Sequence, residues 1–292
     1  MPGITMLLDI VPLDRTEFLT GLAAGTVALV VGVLVSVGLR TFARPTVRWE
    51  GAGLLFAAAA LVGLDLTHDA PGGLVGGTAL VAVGAGVAAA ARFPLAVRPA
   101  AVAPGAWLVA AHGAIPGEPW VRVLVFVTIV AGGALVADVD RRTARLGLGP
   151  LLFAVTVGGV YATVPDTEQA LVLLGVAAPV ALLGWPLRRA VLGRAGSPAA
   201  VAVLMWSAAV GGVGRPSSIV GAVGCLGLFV VAPLSRRSVR TSAPVVVAAH
   251  ALLVLLSARV AGLRPTVRAA VAVVLLELVV GVAVWGAAPR RP

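Results

Sequence analysis

Residues 17–38 read EFLTGLAAGTVALVVGVLVSVG, an apolar run that has no charge after Glu17. A run of this length predicts a membrane-spanning helix, because about 20 residues at roughly 1.5 Å each cross the hydrocarbon core of a bilayer. A helix also satisfies its own backbone hydrogen bonds, which lipid cannot do. The residues before this run lack the basic start of a secretory signal, so we expect the helix to be retained.

Ten more apolar runs follow and fill the rest of the chain. They lie at about 51–65, 72–91, 99–114, 119–137, 147–163, 169–187, 198–213, 218–234, 243–261 and 267–286. The 292 residues are 60% hydrophobic and 12% charged, and their mean hydropathy is +1.06. No soluble fold can bury that much apolar surface, so the surrounding solvent must be lipid.

These runs predict an all-α fold, a polytopic integral membrane bundle of about 11 transmembrane helices (roughly 10–12) with short loops. Residues 1–292 are expected to form a single transmembrane domain, because the turns between the runs leave no room for an extramembrane domain. We expect no sheet.

The basic residues predict the orientation of this bundle. All 22 are arginine, and 16 of them lie in alternate turns, whereas 6 lie in the remaining turns. Arginine-rich turns between spans face the cytoplasm. We therefore predict an external N-terminus, a cytoplasmic C-terminus and a multi-pass protein of the cell membrane, with the lipid bilayer as its first partner. The same pattern accounts for the net charge of +10 and argues against nucleic acid as a partner.

The arginine clusters recur about every 48 residues, near positions 44, 95, 143, 191, 238 and 290. Two spans with two turns account for such a period by length alone, and an internal duplication is the alternative. Glycines four residues apart, Gly21 with Gly25 and Gly73 with Gly77, favour close packing of helices.

One short motif resembles a metal site. Asp138-Val139-Asp140 has the DxD spacing with which sugar-nucleotide transferases hold a metal, but Arg141 and Arg142 follow it directly. Because these arginines neutralise the carboxylates, we expect a solvated helix end with local ion pairs.

Another polar group lies in a predicted external turn. Asp65, His68 and Asp69 are residues of metal-ligand type, but two or three donors in one turn are too few for a site. The sequence contains neither a nucleotide-binding GxxxxGK[ST] loop nor an HExxH motif. We therefore predict no metal, no cofactor and no catalytic residue, and an enzyme is the less favoured interpretation.

Glu277 is the one carboxylate in the middle of a predicted span, where a charge costs about 2.5–3.5 kcal/mol on insertion. His250 lies in the preceding span, and the two residues are almost equally far from the turn near Arg264. An antiparallel hairpin therefore places them at equal depth. A histidine beside a carboxylate in lipid is typical of proton relays and cation sites. A structural hydrogen bond between two helices is the alternative.

These features predict a class of protein rather than a substrate. Polar residues are sparse in the spans, which favours a transporter- or permease-like protein for a hydrophobic or lipid-like solute over one for sugars or amino acids. In size and span number the chain is similar to small drug/metabolite exporters, although those have an even number of spans. One alternative is a non-catalytic scaffold or accessory subunit that packs against a partner membrane protein or a second copy of the chain. A third is an intramembrane enzyme acting on lipid.

Reporter fusions test the predicted orientation. Fusions after Arg142, Arg189 and Arg237 should be cytoplasmic and those after Glu118 and Asp166 external, because arginine-rich turns stay on the cytoplasmic side. Alkaline phosphatase activity reports the external side, and fluorescence of a green fluorescent protein fusion reports the cytoplasmic side. The opposite side at two or more positions would overturn both the orientation and the number of spans.

Overall fold

The computed structural model describes residues 15–42, 49–94, 97–164, 167–213, 215–231 and 243–263. Within these ranges the chain is almost entirely helical. The helices are α1 (Thr16–Phe42), α2 (Ala52–His68), α3 (Gly72–Ala90), α4 (Arg98–His112), α5 (Pro119–Val127), α6 (Gly133–Thr143), α7 (Gly149–Thr163), α8 (Glu168–Gly184), α9 (Gly196–Gly211), α10 (Pro216–Gly224), α11 (Leu228–Val231) and α12 (Ala243–Leu263). A π-helical turn, Thr128–Gly132, joins α5 to α6.

The predicted all-α class is confirmed, with one exception. Each of the first ten apolar runs coincides with one helix or with consecutive helices, and the run at 267–286 lies outside the described residues. The exception is a pair of two-residue strands, β1 (Trp49–Glu50) and β2 (Ala190–Val191), which are parallel neighbours. The expectation of no sheet is therefore wrong for these four residues, since so short a pairing leaves no periodic pattern in the sequence.

Within the residues that the structure describes, three segments are long and apolar enough to cross a membrane: Thr16–Leu39, Gly72–Ala90 and Pro119–Thr143. Other apolar helices are shorter. For example, α7 has 15 residues and α8 has 17. At 1.5 Å per residue these lengths are about 22–26 Å, against roughly 30 Å of hydrocarbon. Helix length thus supports membrane-spanning helices, while the number of about 11 spans stays a prediction.

Helix α9 is the centre of the bundle. Every residue from Gly196 to Ala209 is buried, and the helix packs against α2, α3, α6 and α8. A helix that is apolar on all sides needs apolar surroundings on all sides, and here other helices provide them. Helix α1 is different, because Val27 and Leu34 are each 64% exposed, as expected of a lipid-facing helix.

Two segments of the fold have the same arrangement. The segments α1–β1–α2 and α8–β2–α9 follow the same order, and α1 lies parallel to α8, with Gly21 against Val172 and Gly25 against Val176, each pair 151 positions apart. The strands pair at an offset of 141 positions. Both offsets are close to three times the 48-residue period at which the arginine clusters recur. The order of helix, strand and helix is therefore repeated at about this spacing, while an internal duplication stays a prediction.

Glycines bring the backbones of neighbouring helices into close contact. A side chain at Gly77 of α3 would meet backbone atoms of Val109 and Gly105 in α4 at 2.8 and 2.9 Å. Such contacts matter in lipid, where helices gain no hydrophobic free energy by leaving lipid tails for one another. The glycine pairs noted in the sequence lie at these crossings in α1 and α3, which confirms their role in packing.

Candidate functional site

His250 of α12 is fully buried against α7 and α11. Its Nε2 atom lies 3.0 Å from the Thr156 hydroxyl oxygen and 3.0 Å from the Leu152 carbonyl oxygen, both in α7. Its ring meets Phe229 of α11 edge to face, with the ring centroids 5.3 Å apart. The structure therefore places His250 at a contact between three helices.

These contacts assign the tautomer of His250. A carbonyl oxygen only accepts hydrogen bonds, so Nε2 bears the proton that is donated to Leu152. The Thr156 hydroxyl donates to the same carbonyl at 3.2 Å. The Nδ1 atom then presents a lone pair, and no residue in the described ranges forms a hydrogen bond with it. Because buried polar atoms are nearly always paired, this arrangement favours a further donor beside Nδ1.

Glu277 lies outside the described residues, so the predicted pair with His250 stays a prediction. Sequence reasoning did not connect Thr156 with His250. The two residues are 94 positions apart. No local spacing could have connected them.

Asp138, the first carboxylate of the DxD motif, behaves as the sequence predicts. It accepts hydrogen bonds from Arg141 at 2.8 Å and from Arg142 at 2.7 Å at the end of α6. These are ion pairs at positions i+3 and i+4 on one helix face. Asp138 is therefore neutralised locally.

Asp140, the second carboxylate, contradicts the prediction of a solvated helix end. It is 2% exposed and accepts the backbone N–H groups of Leu192 and Gly193 at 3.1 and 2.9 Å. A side chain at Gly149 would overlap its carboxylate. Asp140 thus ties α6 to the turn between β2 and α9, a contact between distant segments that the neighbouring arginines concealed.

The polar group of Asp65, His68 and Asp69 is connected to a second helix through His68. In His68, at the end of α2, Nε2 lies at hydrogen-bond distance, 2.7 Å, from the Glu168 carboxylate of α8, and Nδ1 lies 2.6 Å from the Thr67 hydroxyl. Among the described residues no group of three or more metal-ligating side chains occurs. His68 is accordingly a link between two helix ends.

Two cavities among the described residues have linings that bear on function. The first, which we call the arginine cavity, has a volume of about 90 Å³ and lies between α3, α4, α6 and the turn before α9. It combines three arginines and one carboxylate with walls of small apolar residues. The lining residues are Ala85, Ala88, Ala89, Arg98, Pro99, Val102, Val130, Ala134, Ala137, Asp138, Arg141, Arg194 and Pro198.

The second cavity, which we call the α1–α2 groove, has a volume of about 520 Å³ and is apolar apart from one hydroxyl. Its lining residues are Thr20, Ala23, Ala24, Val27, Ala28, Val31, Leu55, Ala58, Ala59, Val62 and Leu66. Neither of these two cavities includes His250.

Comparison with known proteins does not assign a function. No protein family, curated protein or solved structure matches the chain.

The two carboxylates of the DxD motif should respond differently to removal. Asp140→Ala should lower the free energy of unfolding by about 2 kcal/mol or more, because two buried N–H groups lose their acceptor at about 1–3 kcal/mol each. Asp138→Ala is the matched control and should cost about 0–1 kcal/mol. Thermal unfolding of the purified protein in detergent measures both. If both variants lost the same free energy of unfolding, and a divalent cation changed the stability of the wild type, the result would instead indicate a metal site.

Proposed function

We propose that the chain is a multi-pass protein of the cell membrane, a permease-like protein that moves a hydrophobic or lipid-like solute. The observation that supports this proposal best is the α1–α2 groove, where Thr20 is the one polar residue among the lining side chains. A groove of this composition offers contact to an acyl or similar apolar chain and almost no hydrogen bond to a sugar or an amino acid.

The proposed topology has about 11 spans, an external N-terminus and a cytoplasmic C-terminus. In this arrangement α1 and α8 are the first and seventh spans and run in the same direction. Their parallel contact, with Gly21 against Val172 and Gly25 against Val176, supports the scheme.

A scaffold or accessory subunit is the second candidate function. The α1–α2 groove contains alanines on both helices, among them Ala24, Ala28 and Ala59. Small residues permit close approach of another helix in lipid. A membrane helix of a partner protein, or of a second copy of the chain, would then occupy the groove instead of a solute.

Filling the groove should distinguish these two functions. In vesicles that hold the purified protein and a fluorescent short-tail phospholipid, the wild type should increase the rate at which dithionite quenches the inner-leaflet probe. Ala58→Phe should reduce that rate severalfold, because the bulky ring occupies the groove. Ala79→Phe, at an exposed α3 position outside both cavities, is the control and should leave the rate unchanged. A wild-type rate equal to that of protein-free vesicles would contradict lipid movement and favour the scaffold.

We also propose that Glu277 pairs with His250 and that the pair passes a proton. Nδ1 of His250 has a free lone pair among the described residues, so it can take the proton of a carboxylic acid and leave a carboxylate beside an imidazolium. The cost of an unpaired Glu277 in lipid supports the same pairing.

A double-mutant cycle tests the pair. His250→Leu and Glu277→Leu should each lower the melting temperature, and the double variant should lose no more than the worse single one, because contacting residues couple by about 0.5–3 kcal/mol. Glu277→Gln should preserve stability, since the amide still bonds, but should abolish any dependence of lipid movement on a pH gradient. Glu17→Gln in α1 is the control. Additive losses in the cycle would show that the two residues do not meet.

A further inference from the structure

We propose that the arginine cavity is a binding site for an anionic phosphate group, such as the headgroup of an acidic membrane lipid. This site is separate from the α1–α2 groove and does not depend on transport through it. The juxtaposition of three arginines with an alanine-rich wall is the observation on which the proposal rests.

The charges in the cavity do not cancel. Arg98, Arg141 and Arg194 line it together with a single carboxylate, Asp138. That carboxylate already accepts hydrogen bonds from Arg141 and from Arg142, and Arg142 is not among the lining residues. A net positive charge remains within a partly enclosed space, where charges are screened less than at an open surface.

The other two arginines have donors to spare. Arg98 donates from Nε to the Phe93 carbonyl oxygen at 3.1 Å, which holds the side chain and leaves both terminal amino groups for a ligand. Arg194 has no hydrogen-bond or ion-pair partner among the described residues. Guanidinium groups of this kind match the oxygen geometry of phosphate and bind it through two parallel hydrogen bonds.

The π-helical turn contributes the apolar side of the site. Val130 in this turn and Ala134, Ala137 and Arg141 beyond it line the cavity at helical spacing, so one face of α6 points into it. A volume of about 90 Å³ is several times the roughly 10–15 Å³ that one water needs. It is suited to a headgroup rather than a whole lipid, whose chains would lie along the exposed helix surface.

The position of the cavity agrees with an acidic lipid as ligand. Its three arginines belong to the clusters that the sequence assigns to the cytoplasmic side. Acidic lipids are concentrated in the cytoplasmic leaflet, and basic pockets between membrane helices on that side bind their headgroups.

The test compares lipid-containing micelles and soluble phosphate as ligands of the full chain. Purified protein in neutral detergent is titrated with mixed micelles that contain phosphatidylglycerol, with phosphatidylcholine micelles, and with inorganic phosphate, and binding is measured by the thermal shift and by native mass spectrometry. Retention of phosphatidylglycerol over phosphatidylcholine is the expected result. An equal response to inorganic phosphate would assign the site to a soluble phosphate compound instead of a lipid.

Substitution locates the site. Arg98→Gln combined with Arg194→Gln should weaken phosphatidylglycerol binding about tenfold or more, because two charge-assisted contacts are lost. Arg194→Gln alone should weaken it severalfold; since Arg194 is exposed and unpaired in the described structure, this variant should fold normally. Arg188→Gln, which changes an exposed arginine outside the cavity, should bind as the wild type does.

Undiminished binding by Arg194→Gln and the double variant, or no preference for phosphatidylglycerol or phosphate over phosphatidylcholine, would overturn the proposal. Lipid movement by the same variants, measured separately, distinguishes failure of this site from failure of the proposed function.

Discussion

Close backbone contact at glycines is the constraint on which the rest of this bundle depends. Apolar side chains gain little by exchanging lipid for another apolar helix, so dense packing has to hold the helices together. Between α1 and α8, a side chain at Gly175 would meet the Leu22 backbone nitrogen at 2.6 Å. Between α2 and α9, a side chain at Gly53 would meet the Gly196 carbonyl carbon at 2.6 Å. Both helix pairs, α1 with α8 and α2 with α9, are therefore in close contact at glycines, which lack a Cβ atom.

Strands β1 and β2 lie side by side next to these glycine contacts, and their backbone groups need partners. Buried N–H and C=O groups are rarely left unpaired. The β1–β2 pairing satisfies some of them, and Gly53 donates its N–H to the Leu192 carbonyl oxygen at 3.1 Å. Asp140, which belongs to a third helix, α6, accepts hydrogen bonds from two of the remaining N–H groups. The small sheet is thus a consequence of helix packing rather than an independent element.

The helices could be predicted from sequence because apolar runs are local, and the position of each helix along the chain follows from them. Contacts between distant segments could not be predicted in this way. The neighbouring Arg141 and Arg142 correctly predicted the ion pairs of Asp138. The same local argument failed for Asp140, because its hydrogen-bond partners lie 52 and 53 positions further along the chain. His250 was identified as a polar residue in an apolar run, whereas its contact with Thr156 depends on how α7 and α12 meet. The arginines were interpreted as topology signals, and only the helix arrangement brings three of them around one cavity.

The turn between β2 and α9 has a structural role, through Asp140, and a role in the proposed binding site, through Arg194. Asp140 fixes the N–H of Gly193, a residue with a φ of +84° that favours glycine, and Arg194 follows it directly. Ser197 adds a second restraint, since its hydroxyl and its backbone N–H both donate to the Gly193 carbonyl oxygen. An exposed arginine on a free loop would lose much side-chain and backbone entropy on binding an anion. Here the backbone is already held on both sides of Arg194, so only the side chain has to be ordered. The two carboxylates of one short motif therefore complement each other: Asp140 holds the turn that carries Arg194, while Asp138 accepts a hydrogen bond from Arg141, which lines the same cavity.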